Sequence, residues 1–352
     1  MISIERSEYM KALMYNGALD IKIIEMEKPK PAFGEVCIKV KAVSICGSDL
    51  SGYKGKNPMR VAPLVMGHEF AGDIVELGEG VKNLKVGMRV SANPHANCGK
   101  CRDCLAGRTH LCNFRRTTGT TMATGSTHGA MAEYVCIQER LVIILPDEVS
   151  YDEAALIEPL AVSLRGAKKA GDIKGQCAVV IGAGPIGLLA IQCLKGLGAK
   201  TVIATDIIDE RLAMARKCGA DIVVNNKKED LLKKVKEITA GVGVDAVLDA
   251  VGIRESIQQA IEVIRNGGNI VCVGMTSPVI EFDLKKVICH EINLLSSYCY
   301  IDEMKESIDL MKNGQVNLKD LITTVAPLDK GPEVFANLAS GNPSDIKVVL
   351  RP

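Results

Sequence analysis

Four cysteines within fifteen residues form a dense cluster of potential metal ligands. They are Cys98, Cys101, Cys104 and Cys112. Two Cys-x-x-Cys units share their middle cysteine, and seven residues separate the third cysteine from the fourth. Four thiolates at this spacing can close a tetrahedral shell around zinc and leave no position open for substrate. We therefore predict a structural zinc site, with a disulfide pair or an iron–sulfur cluster as the alternatives.

A sparser set of potential ligands occurs earlier in the chain. It consists of Cys46 in SICGSDL and of His68 and Glu69 in MGHEF. Thiolate, imidazole and carboxylate are ligands of catalytic zinc, which keeps one position open for water or substrate. Ser48 and Asp49 add a hydroxyl and a neighbouring carboxylate, and Glu158 in IEPLAV is a further carboxylate. Taken singly, these residues have structural explanations as a core thiol, a hydrogen-bonded histidine or solvated charges. Together they predict a catalytic zinc site.

A glycine-rich turn predicts a dinucleotide site. The sequence Gly182-Ala-Gly184-Pro185-Ile186-Gly187 follows the apolar run CAVVI and opens an apolar helical segment. The first glycine permits the tight turn, the second lets the backbone approach a pyrophosphate, and the third lets the helix pack on the strand. The N-terminus of the helix then offers unpaired N–H groups to the phosphates. The alternative is a turn with a purely structural role.

Asp206 selects between the two nicotinamide cofactors in this interpretation. It ends the next apolar run, TVIATD, nineteen residues after Gly187. A carboxylate at this place accepts hydrogen bonds from the ribose hydroxyls and repels a 2′-phosphate, which favours NAD. Arg211 is the nearby residue that would favour NADP instead. Val273, the last residue of the run GGNIVCV, is also assigned to the cofactor site.

The elements around these residues divide the chain of 352 residues into two domains. Residues 1–157 contain short alternating runs separated by Gly, Asn and Pro, which predicts an irregular β-rich domain. Residues 158–295 contain unbroken apolar strands that alternate with helices, which predicts an α/β domain with a doubly wound parallel sheet. Residues 296–352 are too few for a core of their own, so we expect them to return to the first domain.

Composition excludes several classes of function. The net charge of +1 favours neither nucleic acid nor an anionic membrane surface as a partner. No apolar run approaches the ~20 residues that a bilayer span needs, and the first residues do not resemble a secretory signal. The cysteine count is thirteen, and most cysteines outside the dense cluster stand singly in apolar surroundings, as free core thiols do. We expect a cytoplasmic protein.

The sequence resembles the zinc-containing medium-chain dehydrogenase/reductase superfamily, and within it the sorbitol and L-iditol dehydrogenase branch. The resemblance rests on CGSDL, GHEFAGDIVELGEGVKNLKVGMRV, the four-cysteine segment, AEY, IEPLAV and GAGPIG, all in family order. It implies a GroES-like catalytic domain, a Rossmann domain, and a cleft between them for zinc and the nicotinamide. The family forms dimers and tetramers through the nucleotide domain, so we expect a homotetramer, with a dimer as the alternative.

The resemblance also implies roles for individual residues. Cys46, His68 and Glu69 match the ligands of the catalytic zinc, and the four-cysteine segment matches a second, non-catalytic zinc. Glu158 stands where simple alcohol dehydrogenases have a ligand cysteine, and it would bind the zinc or its water. Ser48 matches the hydroxyl that takes the proton of the alcohol. Ser51 stands where alcohol dehydrogenases often have a histidine that continues the proton path, so the alternatives for the onward path here are Ser51, water and the cofactor ribose.

The resulting hypothesis is an NAD- and zinc-dependent oxidation of a polyol, polyol phosphate or related secondary alcohol to the ketone. Segments such as SANPHANCGKC also resemble the threonine dehydrogenases, so L-threonine 3-dehydrogenase and 2,3-butanediol dehydrogenase are alternatives within the enzymes. An NAD(H)-binding zinc–thiolate redox sensor is the alternative outside them. His95 and His128 are candidates to line the substrate site.

Overall fold

The computed structural model describes residues 8–341 and 344–352. The chain divides into two compact units, Met1–Glu158 with Leu318–Pro352, and Pro159–Asn317. The sequence analysis began the returning segment at residue 296, whereas the structure keeps residues 296–317 with the second unit. Within this segment Tyr300, Met304 and Ile308 are buried, and Glu303 pairs with Arg165, so the segment packs as part of the second unit.

The first unit is built mainly from short strands. They are β1 (Tyr9–Gly17), β2 (Asp20–Glu27), β3 (Glu35–Ser44), β4 (Leu64–Val65), β5 (Glu69–Leu77), β6 (Arg89–Ala92), β7 (His95–Ala96), β8 (Arg116–Thr117), β9 (Thr120–Met122), β10 (Gly125–Thr127), β11 (Tyr134–Gln138), β12 (Val142–Ile144), β19 (Ile322–Pro327) and β20 (Lys347–Arg351). Its helices are α1 (Gly47–Tyr53), α2 (Arg102–Leu105), α3 (Tyr151–Ala154) and α11 (Gly331–Ser340).

The main sheet of the first unit has seven strands, in the order β12-β6-β5-β3-β20-β19, with β11 also paired to β3. Strand β20 joins antiparallel to β3, with Val349 opposite Ser44 and Leu350 opposite Val43. Buried apolar side chains such as Phe70 and Leu350 form the core beneath the sheet. The returning segment therefore completes this sheet, as the sequence analysis expected.

The second unit contains six parallel strands in the order β15-β14-β13-β16-β17-β18. They are β13 (Cys177–Ile181), β14 (Thr201–Asp206), β15 (Ile222–Asn225), β16 (Val244–Asp249), β17 (Ile264–Cys272) and β18 (Asn293–Ser296). Its helices are α4 (Ile157–Lys169, which starts in the first unit), α5 (Pro185–Gly196), α6 (Asp209–Lys217), α7 (Leu231–Ile238), α8 (Arg254–Val263), α9 (Leu284–Cys289) and α10 (Glu303–Lys312). The strand order and the buried central strands confirm the predicted doubly wound sheet.

Within the described residues, no helix combines the length and the apolar character that crossing a membrane requires.

Candidate active site

Cys46, His68 and Glu69 come together in the first unit, where their ligand atoms all lie within 4.8 Å of one another. Cys46 is the N-cap of α1, and the other two residues stand where β5 begins. Gly67 precedes them with φ +97°, and a Cβ there would lie 2.8 Å from Met131 Cγ. Only glycine lets the backbone turn into β5 in so crowded a place.

The geometry of these three residues fits a zinc ion. His68 Nδ1 is buried, forms no hydrogen bond within residues 8–341 and 344–352, and lies 3.6 Å from Asp49 Oδ1. A carboxylate beside one ring nitrogen is the usual support of a histidine whose other nitrogen binds metal. Burial first, and then the charges of Glu69 and Asp49, raise the pKa of the Cys46 thiol to about 12. Binding of a cation would therefore release the thiol proton.

Lys347, which the sequence analysis did not single out, lies against this group. Its Nζ donates hydrogen bonds to Glu69 Oε2 and, at 3.1 Å, to the carbonyl of Ile45. Ser44 Oγ donates to the same Glu69 oxygen. Burial by itself would lower the pKa of Lys347, but Glu69 and Cys46 outweigh it and the pKa is raised. The site therefore contains a permanent cation.

Ser48 and Asp49 are held by a second residue that the sequence analysis missed, Arg60. Its Nε and Nη2 donate to Asp49 Oδ1 at 3.1 and 2.8 Å, and Nη2 also donates to Ser48 Oγ at 3.0 Å. Burial would raise the pKa of Asp49, but His68 and Arg60 outweigh it and the pKa is lowered. Ser51 follows in the same helix, half-buried.

Glu158 stands in the first turn of α4 and is buried. It is not among the three residues whose ligand atoms lie within 4.8 Å of one another. Its carboxylate instead lies 4.0 Å from His95 Nε2, and His95 Nδ1 lies 3.0 Å from Thr117 Oγ1. Burial, followed by the charge of Arg115, lowers the pKa of His95 to about 3. His95 is therefore a neutral partner beside Glu158.

The remaining histidines are separate from the three-residue group. His128 Nδ1 accepts the backbone N–H of Val65 at 3.1 Å. His110 is buried, and His290 is exposed, with Nδ1 2.8 Å from Asn266 Oδ1.

Cys98, Cys101, Cys104 and Cys112 also converge, with all four sulfurs within 4.8 Å of one another. The sulfurs of Cys98 and Cys104 are 4.0 Å apart. A tetrahedral shell with Zn–S bonds of about 2.3 Å places its sulfurs about 3.8 Å apart, so the arrangement fits. None of these four cysteines forms a disulfide, which leaves the disulfide alternative without support.

Backbone N–H groups and burial shift the pKa values of the cysteines in this cluster. The N–H group of Lys100 is the main cause that lowers the pKa of Cys98 to about 6. Burial raises the pKa of Cys112 to about 11. Among the basic residues of this segment, Arg108 pairs with Asp103 at 2.7 Å and does not offset the charge of the thiolates. Backbone N–H groups therefore supply part of that compensation.

The predicted dinucleotide turn lies in the second unit between β13 and α5. Gly182 has φ +92°, and a Cβ at Gly187 would lie 1.8 Å from the carbonyl oxygen of Gly182. Both glycines are required by the packing of the chain itself. A Cβ at Gly184 would meet no protein atom within 4 Å, so packing does not explain this glycine. Pro185 starts α5, and the carbonyl of Ile186 accepts a hydrogen bond from Ser163 Oγ at 3.0 Å.

Asp206 ends β14 beside this turn. Its Oδ2 accepts the N–H of Ala183 at 2.7 Å, and its Oδ1 accepts those of Ile207 and Ile208 at 2.7 and 3.0 Å. The carboxylate thus connects the strand end to the glycine-rich loop. Arg211 is half-buried in α6, and Val273 follows β17 with its N–H 2.9 Å from the carbonyl oxygen of Asp249.

Comparisons with known proteins agree with both halves of the chain. The family model for the alcohol dehydrogenase GroES-like domain matches residues 32–147, and that for zinc-binding dehydrogenase matches residues 185–313. The sorbitol dehydrogenase of Bacillus subtilis is 34% identical over 97% of each chain. The D-arabitol-phosphate dehydrogenase of Enterococcus avium is 37% identical over 95% of this chain and 94% of its own.

A solved structure extends the likeness to three dimensions. The 2R,3R-butanediol dehydrogenase of Bacillus subtilis superimposes with a TM-score of 0.90 at 34% identity, over 97% of this chain and 99% of its own. The GroES-like and parallel-sheet architectures expected from the sequence are thereby confirmed.

Proposed function

The chain belongs to the zinc-containing medium-chain dehydrogenase/reductase superfamily, and we propose that it oxidises a polyol, a polyol phosphate or a related secondary alcohol to the ketone with NAD. The observation that carries this proposal is the convergence of Cys46, His68 and Glu69, with Ser48 two residues after the cysteine. Relatives named for a polyol and for a polyol phosphate, both similar over nearly the whole chain, support this substrate class.

In this proposal Cys46, His68 and Glu69 hold the catalytic zinc. When bound, zinc polarises the substrate hydroxyl and NAD accepts the hydride. Ser48 takes the hydroxyl proton, because its oxygen keeps acceptor capacity beyond the bond from Arg60. Asp49 and Lys347 fix His68 and Glu69 respectively, through the contacts described above.

Glu158 has an outer role in the proposed site. Its carboxylate is not among the ligand atoms that all lie within 4.8 Å of one another, and it lies 4.0 Å from His95 Nε2. Both observations favour contact with a water or the substrate over direct ligation of zinc. The residue therefore remains in the catalytic set, with His95 as its neutral neighbour.

Cys98, Cys101, Cys104 and Cys112 hold the second zinc, which stabilises their loop. Four sulfur ligands leave no coordination position for substrate.

The cofactor site is assigned to the second unit. The glycine-rich turn Gly182–Gly187 offers the N-terminus of α5 to the pyrophosphate, and the open face of Gly184 provides the room. Asp206 receives the ribose hydroxyls, which favours NAD over NADP. Arg211 and Val273 complete the assignment.

Two alternative functions have specific support. The butanediol dehydrogenase, the sorbitol dehydrogenase and an L-threonine 3-dehydrogenase of Pyrococcus abyssi are each 34% identical to this chain. Overall similarity therefore does not separate diols or L-threonine from polyols as substrates. A redox sensor would use the four cysteines alone, and zinc content separates it: about one ion per chain for the sensor and about two for the enzyme.

The test of the proposal is NAD reduction by the zinc-loaded protein with a panel of polyols, polyol phosphates, butanediols and L-threonine. We expect a polyol or a polyol phosphate to give the highest kcat/KM. A clear preference for a butanediol or for L-threonine would move the chain to that alternative. No NAD or NADP reduction with any member, in a protein that holds about two zinc ions, would contradict the proposal.

A cytoplasmic homotetramer, or a dimer, completes the proposal. Strand β18 is the edge of the parallel sheet, and exposed apolar residues lie near it, including Leu284, Ile288 and Leu294. An unpaired edge with apolar neighbours favours association of subunits. A cluster of four cysteines without a disulfide favours a reducing compartment.

A further inference from the structure

Arg60 is deeply buried beside the residue assigned to proton transfer. Its side chain is 2% exposed, and that of its ion-pair partner Asp49 is fully buried. A buried arginine is costly unless its charge is paired and its N–H groups are satisfied. Two of its hydrogen bonds go to Asp49 Oδ1, and a third goes to Ser48 Oγ. Asp49 compensates the charge and Ser48 Oγ accepts from Nη2, so the contact that helps to satisfy Arg60 also holds the Ser48 hydroxyl.

The fold reserves space for the stem of this arginine. A Cβ at Gly52 would lie 2.4 Å from Arg60 Cγ and 2.8 Å from Arg60 Cβ. Gly52 is within α1, where its backbone conformation would accept any residue, so its packing neighbour is what requires a glycine. Helix α1 therefore contains both Ser48, whose hydroxyl accepts the hydrogen bond from Arg60, and Gly52, whose missing side chain leaves room for the Arg60 side chain.

The direction of the hydrogen bond constrains the hydroxyl. A guanidinium group only donates, so Ser48 Oγ accepts from it. A serine hydroxyl has two acceptor lone pairs and one donor hydrogen. One lone pair faces Arg60, which leaves one lone pair for the substrate proton and the O–H for onward transfer. In the part of the chain that the structure describes, no other hydrogen bond to Ser48 Oγ fixes its rotation.

We propose that Arg60 is a positioning residue for the reaction, which acts by fixing the Ser48 hydroxyl so that it accepts the substrate proton and passes its own proton to solvent water. The inference rests on the proposed function, because it presupposes that Ser48 takes the proton. The cation 3.0 Å from Ser48 Oγ disfavours a doubly protonated, positively charged hydroxyl, so Ser48 releases its own proton as it takes that of the substrate.

The test is a double-mutant cycle with Ser48→Ala, Arg60→Met and the double variant, using the panel alcohol with the highest turnover. We expect Arg60→Met to lower kcat by about 10- to 100-fold, within the range of general acid–base effects. The KM for the alcohol should change little. If Arg60 acts through Ser48, adding Arg60→Met to Ser48→Ala should lower kcat no further. Arg60→Lys, which keeps a donor and the charge, should recover part of the loss.

Readouts other than turnover separate positioning from structural damage. Arg60→Met should retain about two zinc ions per chain and bind NADH as the parent does. The matched control is Arg165→Met, which removes an arginine that also pairs with a carboxylate, Glu303, in the second unit. This control should leave kcat nearly unchanged.

Several outcomes would overturn the inference. They are loss of one zinc in Arg60→Met, multiplicative losses in the double variant, and a kcat for Arg60→Met equal to that of the control. If Ser48→Ala itself keeps normal turnover, the proton role given to Ser48 under the proposed function fails as well. If Arg60→Met does not fold, Gly52→Ala provides the test. The added methyl group would displace the aliphatic part of the Arg60 side chain while the guanidinium charge is kept. Full turnover in Gly52→Ala would refute the inference.

Discussion

Lys347 Nζ and Glu69 Oε2 form a buried ion pair between residues that are 278 positions apart in the sequence. Both side chains are 2% exposed. Glu69 is also the proposed carboxylate ligand of the catalytic zinc, so one carboxylate has a permanent cation on one side and a site for a second cation on the other.

Replacing Lys347 with methionine should destabilise the zinc-free protein more than the zinc-loaded protein. Without either cation Glu69 is a buried, uncompensated charge, which costs about 3–5 kcal/mol. Bound zinc supplies the missing positive charge. The measurement is the Tm of variant and parent, each after chelation and after zinc loading. Lys347→Arg, which keeps the positive charge, is the control. An equal loss of Tm in the chelated and the zinc-loaded protein would show that the metal does not compensate the charge of Glu69.

The residues around this pair show what sequence reasoning could and could not reach. Cys46, His68 and Glu69 were predictable because their residue types identify a metal site and their segments have strong local patterns. Lys347 had no such signal: it reaches Glu69 only because β20 pairs with β3, a contact that no local spacing encodes. Arg60 stands in an ordinary loop, NPMRVAP, and its role depends on the gap at Gly52.

The fold itself was largely readable, because unbroken apolar strands and glycine-rich turns are local features. The C-terminal boundary of the second unit, at Asn317, could not be read from the sequence. Residues 296–317 include a charged helix, α10, which resembles a solvated surface element by composition. Met304 and Ile308 of this helix are nevertheless buried, and Glu303 pairs with Arg165, a residue distant in sequence.

Cys46→Ser should remove one of the two zinc ions and nearly all turnover. Serine is a favoured helix N-cap, so α1 should still form from this position. Loss of the metal removes several kcal/mol of transition-state stabilisation, or about a thousandfold or more in kcat. Zinc analysis, turnover and NADH binding would be measured together. Near-normal turnover, or loss of NADH binding in a folded variant, would contradict the assignment.

Cys104→Ser should remove the other zinc and lower the Tm, because this metal stabilises a loop. Its sulfur lies 4.0 Å from that of Cys98 and accepts a hydrogen bond from Asn97. At temperatures below the Tm of the variant, turnover normalised to the zinc ion that remains should stay near that of the parent. Cys289→Ser, at an exposed thiol outside the cluster, is the control and should change neither quantity. A variant that keeps about two zinc ions per chain would rule out this ligand.

Asp206→Ala should raise the KM for NAD by about tenfold or more and reduce the preference for NAD over NADP. Removal of the carboxylate takes away the acceptor for the ribose hydroxyls and the repulsion of a 2′-phosphate. It also releases the N–H of Ala183, now bonded at 2.7 Å. Initial rates with both cofactors provide the measurement. Asp206→Asn keeps one acceptor oxygen, and we expect it to fall between parent and alanine variant; an unchanged cofactor ratio in both would refute the role.

Glu303→Gln should lower the Tm near neutral pH, and the difference from the parent should shrink as the pH falls. Burial would raise the pKa of Glu303, but the N–H of Ile301 and the charges of Arg165 and Lys168 outweigh it, and the pKa is lowered. A carboxyl whose pKa is lower in the folded chain stabilises it above the ordinary value of 4.5, and this contribution is lost at lower pH.

The measurement is the difference in Tm between Glu303→Gln and the parent at several pH values from 7 to about 4. Glu306→Gln, at the exposed partner of Lys168, is the matched control and should have a smaller effect at every pH. A difference that grows on acidification would show that the sign is wrong.

The return of residues 318–352 to the first unit also sets an order of events on the ribosome. Translation delivers Pro159–Asn317 in full before β19 and β20 emerge, so the nucleotide-binding unit is free to fold first. Until β20 arrives, β3 lacks one neighbour and Glu69 has no lysine opposite it. The nascent chain is therefore able to complete the second unit before the first.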